Sequence, residues 1–486
     1  MTEAATSASS TASPTASSTA SPTAPAASAA APTAGPSKGV EAIWPTSGPR
    51  PLMPYSPGVR AGDWLFVSGQ LASDFETGLA PEVRAANPFL GDKLRAESHH
   101  VMSSLAAIVA AAGGDLRKDG VRIWQWFTSE YPTYEEFEQG NTWPRISITP
   151  YLETRNEYID DPRPASTGMG IRELLVRDTT LEVDLICRLD DAPAVGVPVP
   201  DGVPSPLAGY SPALRRGDWV FLAGEIPVDW VGDYESPVHL GEPSGLAKAA
   251  RVNPYYWYGS PIETQTDYVL QKLARIAEAA GTSLDRTVKA EVYIGHPNDF
   301  AGMDRVWKRW FPNNPPARVV IPYMGLGGRG SRVEIALTLL AGDSDLTIET
   351  VETSDAPEPL GHEPQAVKAG DLLWFSTQMA FDSSGALAPG MSRRPEFPYY
   401  GSPARAQMRY VLENVAAICE AAGTSLENVV RRACFHDDFQ WFAESIDEWA
   451  AHFPGVKPAS TTVRVGGPLV VPGAHFLLDL TAYIPR

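Results

Sequence analysis

The chain is poor in the residues that would staple or anchor it. Its 486 residues include 3 cysteines, Cys187, Cys419 and Cys434, and none stands in a C-x-x-C spacing. That excludes a disulfide framework and a thiolate zinc site, and points to a reducing compartment. No run of 18 apolar residues occurs without charges, which excludes a transmembrane helix. Basic residues are the minority: 39 Lys and Arg face 58 Asp and Glu, for a formal charge of −19. Such a chain repels phosphate backbones, so a nucleic-acid partner is not expected. H-E-x-x-H and G-x-S-x-G are likewise missing, which removes the usual signatures of zinc hydrolysis and serine hydrolysis.

What is present begins with a tail. Residues 1–38 are almost wholly Ala, Ser, Thr and Pro, the first lysine is Lys38, and no Leu, Ile or Val precedes Val40. A segment without large apolar side chains cannot offset its backbone entropy and reads as disordered. It has neither the basic stretch nor the apolar stretch of an export signal, so a cytoplasmic location is expected.

The rest is one unit written three times. "YSPGVRAGDWLFVSGQL" from Tyr55, "YSPALRRGDWVFLAGEI" from Tyr210 and "HEPQAVKAGDLLWFSTQM" from His362 share a Gly-Asp pair at Gly62, Gly217 and Gly370. Helix ends follow in "LAAIVAAAGGDL", "LARIAEAAGTSL" and "VAAICEAAGTSL", where Gly113, Gly281 and Gly423 stand at the expected left-handed C-cap. A strand and helix come next, and each copy closes on a β-rich run: "LEVDLICRL", "VEIALTLLA" and "LLDLTAYIP". Repeated anchors in constant order define the architecture. The copies span about 53–190, 205–342 and 358–486, joined by proline-rich or acidic linkers. Strands mixed with two helices per copy give an α+β class, each copy a mixed sheet with two helices on one face.

These motifs resemble the RidA (YjgF) family of enamine/imine deaminases. The resemblance rests on the Y-S-P opening, the E-A-A-G-x-S helix end, a P-A-R turn and a closing V-E-I, all four in the middle copy. It implies three RidA-like (chorismate-mutase-like) domains. Family members are homotrimers with a cleft at each interface, so the chain is expected to be an intramolecular pseudo-trimer, with further oligomerisation left open. Its partner would be a small-molecule substrate, with no nucleic acid, membrane, metal or cofactor.

Site residues follow from the same resemblance. The arginine of the P-A-R turn, which binds a substrate carboxylate, corresponds to Arg318, while Ser166 and Ser460 stand there in the other copies. The acid of the last strand corresponds to Glu334, with Glu182 and Asp479 read as its equivalents. Tyr55, Tyr210 and His362 correspond to the opening tyrosine, and the family's asparagine to Asn141, Asp304 and Ile446. The leading expectation is one competent cleft holding Arg318 and Glu334, completed by Tyr55, Gly69 and Gln70 or their third-copy equivalents. Arginine suits the carboxylate because its planar fork matches it bidentately. A partly buried glutamate suits proton transfer. The alternative for Arg318 is an ion pair where two copies meet. The alternative enzyme reading, similar to the chorismatases, uses the Ser-Thr turns, with Glu182 protonating a substrate held by the turn at Ser166. A third reading is a non-catalytic small-molecule-binding protein. Insertions before the long helices contain Tyr256 and Tyr400 beside Gly-Ser-Pro turns. Aromatic loops over the clefts would suit a bulky or aromatic substrate; the alternative is that these rings staple neighbouring copies together.

Overall fold

Alternating apolar runs, long amphipathic segments and glycine-marked turns become three mixed sheets, each with its own pair of helices. The computed structural model describes residues 39–485 except 86–91, 129–147, 207, 230–245, 254–257, 324, 326, 327 and 329.

Repeat 1 comprises β1 (Val40–Ile43), β2 (Gly58–Ala61), β3 (Trp64–Leu71), α1 (Asp92–Ala111), β4 (Gly120–Thr128), α2 (Thr149–Tyr158), β5 (Ala165–Ile171), β6 (Glu173–Leu174) and β7 (Leu181–Arg188). Repeat 2 comprises β8 (Ala194–Gly196), β9 (Ala213–Arg216), β10 (Trp219–Glu225), α3 (Pro261–Ala279), β11 (Thr287–Ile294), α4 (Phe300–Trp310), β12 (Ala317–Pro322) and β13 (Val333–Leu340). Repeat 3 comprises β14 (Ile348–Val351), β15 (Ala366–Ala369), β16 (Leu372–Phe375), α5 (Pro403–Ala421), β17 (Val429–His436), α6 (Phe442–His452), β18 (Ala459–Arg464) and β19 (Phe476–Tyr483).

The sheet orders are β1-β2-β3-β7-β4-β5, β12-β11-β13-β10-β9-β8 and β14-β15-β16-β19-β17-β18-β6. In each, one parallel pair joins the strands flanking the second helix (β4–β5, β11–β12, β17–β18) and the rest of that repeat's pairs are antiparallel. The segments read from sequence as linkers contribute strands: β1, β8 and β14 lie outside the repeat limits drawn above and pair with β2, β9 and β15. Short β-competent stretches there satisfy an otherwise open sheet edge. Strand β6 crosses over to pair with β18 of repeat 3.

Local chemistry sets the helix limits. The Gly-Ser-Pro turns place Ser260 and Ser402 as N-caps, accepting from the backbone N–H of Glu263 and Arg405, with proline in the first turn. At the other ends Gly113, Gly281 and Gly423 hold φ of +85°, +74° and +79°, which residues with a Cβ adopt reluctantly.

One face of each sheet is buried by its own helices. The other faces contribute to a single cluster shared by all three repeats. At its heart Trp64, Trp219 and Trp374, one from each repeat, meet with ring centroids 5.0–6.5 Å apart. Charged side chains also cross between repeats: Arg122 pairs with Glu291 at 2.5 Å, Lys289 with Asp479 at 2.6 Å, and Arg431 with Asp184 at 3.2 Å.

Candidate functional site

The repeats meet in a cyclic order fixed by hydrogen bonds. Arg122 of repeat 1 donates to the Leu222 carbonyl of repeat 2 at 2.5 Å, and Lys289 of repeat 2 donates to the Phe375 carbonyl of repeat 3 at 2.5 Å. The Ser460 N–H of repeat 3 donates to Ser68 Oγ of repeat 1 at 2.7 Å. The turn strands β5, β12 and β18 thereby lie against the opening strands β10, β16 and β3 of the next repeat, forming three clefts with different contents.

The cleft of Arg318 is filled by the protein itself. Its guanidinium is fully buried, bonded to Asp304 at 2.7 Å and paired with Glu363 of repeat 3. Asp304 also accepts from the His362 N–H at 2.9 Å, and a His362 ring nitrogen is tied to the Phe311 carbonyl at 2.7 Å. A Cβ at Gly361 would sit 2.5 Å from Arg318 Nη2, so even the backbone is pressed against it. The expectation of an open carboxylate-binding Arg318, with His362 at the substrate, is therefore corrected: the copy–copy ion pair is what forms, since two carboxylates already neutralise the buried cation.

Two further expectations change with strand register. Arg318 and Glu334 do not share a cleft: Arg318 abuts Ser376 and Thr377 of repeat 3, whereas Glu334 lies by Gly224 and Thr167 of repeat 1. Asp479 is not equivalent to Glu182 and Glu334. The equivalent positions Trp126, Tyr293 and Phe435 pair with Glu182, Glu334 and Leu477, respectively. Asp479 faces the inter-repeat interior instead, where Lys289 and Arg431 hold its carboxyl below the usual range despite burial.

In repeats 1 and 2 the acid lies in a notch that only glycine permits. A Cβ on Gly69 would overlap Glu182 Oε1, and one on Gly224 would overlap Glu334 Oε1. In repeat 3 the acid is Leu477 and the glycine is Thr377, whose hydroxyl accepts from the Val320 N–H at 3.1 Å. Glycine and glutamate thus occur together or are both replaced.

The Glu334 cleft, between repeats 1 and 2, also holds Tyr210 and the turn at Ser166. Burial, with Glu225 nearby, pushes the Glu334 carboxyl up to about 8. Ser166 Oγ donates to Gln125 Oε1 at 3.1 Å, and Thr167 Oγ1 accepts from Arg122 at 3.2 Å. Arg122 and Lys272 are the cations that act on Glu334, while Arg155 on α2, bonded to the Ala208 carbonyl at 2.8 Å, acts on Tyr210.

The Glu182 cleft, between repeats 1 and 3, is chemically the least satisfied. Tyr55, Gly69 and Glu182 come from repeat 1, and Phe442, Ile446, Ser460 and Thr462 from repeat 3; they surround a cavity of about 20 Å³. The Gly69 N–H donates to Thr461 Oγ1 at 3.1 Å. Glu182 is buried, and desolvation followed by the Asp184 charge raises its carboxyl well above the usual range, against a Thr462 N–H that lowers it. Desolvation and Glu182 likewise keep the Tyr55 phenol protonated. Gln70, by contrast, donates to the Ser68 carbonyl at 3.0 Å and faces outward toward a larger cavity.

Behind this cleft stands a residue that motif matching misses, Arg432, whose hydroxyl partners Ser460 and Thr462 line the cavity. It pairs across the β17–β18 ladder with Ser460, as Ala290 pairs with Arg318 across β11–β12. Its guanidinium lies 4.9 Å from the Trp449 ring centre, and that of Arg318 lies 5.0 Å from Trp307. Two adjacent strands thus deliver a guanidinium over corresponding indoles of α6 and α4. Arg432 Nη1 donates to Ser460 Oγ at 2.8 Å and Thr462 Oγ1 at 3.2 Å. Among the described residues, Arg432 Nε and Nη2 and Glu182 Oε2 have no hydrogen-bond partner although buried. Groups of this kind are costly to leave unpaired. The signal in the sequence was the double arginine of "VVRRACF", where the matching residue of repeat 2 is Ala290.

In repeat 3 the aromatic loop neither roofs a cleft nor staples neighbouring copies. Tyr400 is 75% exposed, and Tyr256 lies outside the described residues, as does Asn141. Of the other two asparagine equivalents, Asp304 serves Arg318 and Ile446 lines the Glu182 cavity. No helix among the described residues is long and apolar enough to cross a membrane.

With this geometry in hand, similarity to known proteins becomes informative. The sequence model of the family described as Endoribonuclease L-PSP matches residues 46–189, 254–340 and 353–484. A RutC family protein of Pyrococcus horikoshii is 34% identical over 121 residues, 25% of this chain and 79% of that protein. The 3-aminoacrylate deaminase RutC of Acinetobacter baylyi is 28% identical over 138 residues, 28% of this chain and 91% of that protein. Among solved structures, RidA from an Antarctic Psychrobacter is 32% identical and covers 28% of this chain and 99% of its own, with a TM-score of 0.24.

Proposed function

We propose, on the premise that this chain belongs to the Endoribonuclease L-PSP (RidA/YjgF) family with three copies of its unit in tandem, that it hydrolyses the C=N or enamine bond of a small carboxylated metabolite. The site is the cleft between repeats 1 and 3, and the three repeats stand as a covalently linked pseudo-trimer. The observation that carries this reading is the buried Arg432 guanidinium, with N–H groups that have no partner, bonded to Ser460 and Thr462 of the cavity wall beside Glu182, whose Oε2 is likewise without a partner.

Arg432 has the two faces the task needs. One is fixed by Ser460, Thr462 and the Trp449 ring; the other is free for a substrate carboxylate, which would satisfy its buried donors. Glu182, whose carboxyl burial and then the Asp184 charge raise well above the usual range, is suited to donate a proton. It protonates the β-carbon of an enamine, giving an iminium; water adds to the nitrogen-bearing iminium carbon, a proton passes to nitrogen, the C–N bond breaks, and nitrogen leaves as ammonia. Water supplies the oxygen of the keto acid and, in net, the proton that restores Glu182. The 20 Å³ cavity accommodates about one water. The named activity of the Acinetobacter relative, deamination of an aminoacrylate, supports the same reaction class.

The test is ammonia release from freshly generated 2-imino acids. Wild type should exceed the buffer rate, Glu182→Gln should lose roughly 10²-fold or more, and Arg432→Ala should lose activity chiefly through KM. A wild type no faster than buffer sinks the reading. The raised Glu182 carboxyl also favours a second one, enol-ether hydrolysis, whose substrate likewise needs a proton on a vinyl carbon. There the structure corrects the expected pairing, since Glu182 meets the turn of Ser460 rather than that of Ser166. Release of an alcohol in place of ammonia separates the two.

A further inference from the structure

The chamber beside Glu182 is too small to hold a substrate beyond its reacting atoms, and what adjoins it is not. A second cavity of about 620 Å³ lies against α1 of repeat 1, and Tyr55, Leu71 and Phe75 line both spaces. Its volume falls within the roughly 300–1,000 Å³ of ligand pockets. Four prolines, Pro45, Pro49, Pro51 and Pro57, and the rings of Phe75 and Tyr158 give it flat apolar walls, and the Glu82–His100 pair, 2.6 Å apart, gives it a polar one.

The residue between the two spaces is held in an uncommon conformation. Phe75 has φ of +56°, a region that bulky side chains seldom occupy and that persists where surrounding contacts enforce it. Here the Phe75 N–H donates to Ser73 Oγ at 3.0 Å, and Asp74 Oδ1 accepts from the N–H groups of Glu76, Thr77 and Gly78 at 2.9, 2.7 and 3.1 Å. The turn fixes the phenyl ring where the cavities adjoin, as a wall that a substrate reaching Glu182 must pass.

We propose that this larger cavity receives the substrate's side chain, so that the preferred substrates are 2-imino or 2-enamino acids carrying an aromatic ring with a hydrogen-bonding substituent. The inference rests on the deaminase reading of the Glu182 cleft and specifies its substrate class. Flat proline and aromatic walls stack on a ring, and the Glu82–His100 pair meets its polar substituent. The carboxylate and C=N bond lie inward between Arg432 and Glu182.

The experiment compares kcat/KM for 2-imino acids made in place by an amino acid oxidase from alanine, leucine, phenylalanine and tyrosine. Wild type should favour the two aromatic substrates over the alanine-derived one by at least about tenfold. Ser104→Trp and Ala107→Trp, each on α1 and lining the larger cavity, should reduce turnover of the aromatic pair about tenfold while changing the alanine-derived substrate less than threefold. Retained turnover of that small substrate shows that the variants are folded. The proposal is overturned if wild type shows no aromatic preference, or if both tryptophan variants affect all substrates alike. Turnover of none of the four overturns the deaminase reading itself, and this proposal with it.

Discussion

Removing the Arg318 side chain would leave Glu363 buried without its cation and Asp304 with Lys308 alone. Breaking a buried pair from one side costs roughly 3–5 kcal/mol, so Arg318→Ala should lower the denaturation midpoint sharply. Arg432 has no carboxylate partner to orphan among the described residues, so Arg432→Met should fold at near wild-type stability while losing turnover. Denaturant titration beside ammonia release checks the contrast. His436 offers a separate titration. It is fully buried among Phe439, Phe442 and Phe476, and burial, then the Arg432 charge, depresses its pKa from 6.5 to about 3. The unfolded chain therefore takes up the proton first as pH falls, and this contribution to stability is lost between about pH 6.5 and 3. His436→Phe should flatten that acid limb, measured as urea midpoints at pH 7 and pH 4. The residues alone offered the ion pair of Arg318 only as an alternative and did not offer the role of Arg432: Arg318 carries the family motif and Arg432 does not, yet partners supplied by other elements decide which guanidinium is free.

Strand register accounts for most of what changed at the scale of elements. The closing runs "LEVDLICRL" and "LLDLTAYIP" each carry an acid near the start, and reading them side by side aligns Glu182 with Asp479. The ladders place Asp479 level with Asp184 instead, because an offset of two residues keeps the same face and leaves the apolar pattern intact. The helix limits were legible because they rest on local chemistry, serine caps, proline in the first turn and left-handed glycines. The coupling of Gly69 to Glu182, mirrored by Thr377 with Leu477, yields a test at this scale. Gly69→Ala should destabilise the protein by roughly 1–3 kcal/mol through overpacking against the carboxyl. Combined with Glu182→Leu it should recover most of that loss, a non-additivity expected of groups sharing one space. Two additive melting-temperature shifts would refute the coupling.

The whole molecule is tied together by charges as well as by its shared apolar cluster. Asp479 of repeat 3 receives Lys289 of repeat 2 and Arg431 of its own repeat, and Arg431 continues to Asp184 of repeat 1. Asp479→Ala would leave two buried cations without a shared counter-charge, and a loss of roughly 3–5 kcal/mol is expected. Since the residue lies away from the Glu182 cavity, folded variant should retain turnover; selective loss of activity at full stability would instead make Asp479 part of the site. The repeat architecture was readable from sequence because it is written in local signals recurring at constant order: turn glycines, helix ends and strand patterns, each set by nearest neighbours along the chain. Which turn faces which acid, which arginine stays unpaired and where a large cavity opens depended on groups of different repeats, Arg318 with Glu363 at 45 residues' separation and Gly69 with Thr461 at 392 among them. Only packing three similar but unequal copies against one another could decide these, because a buried group's charge and partners are set by what surrounds it in space.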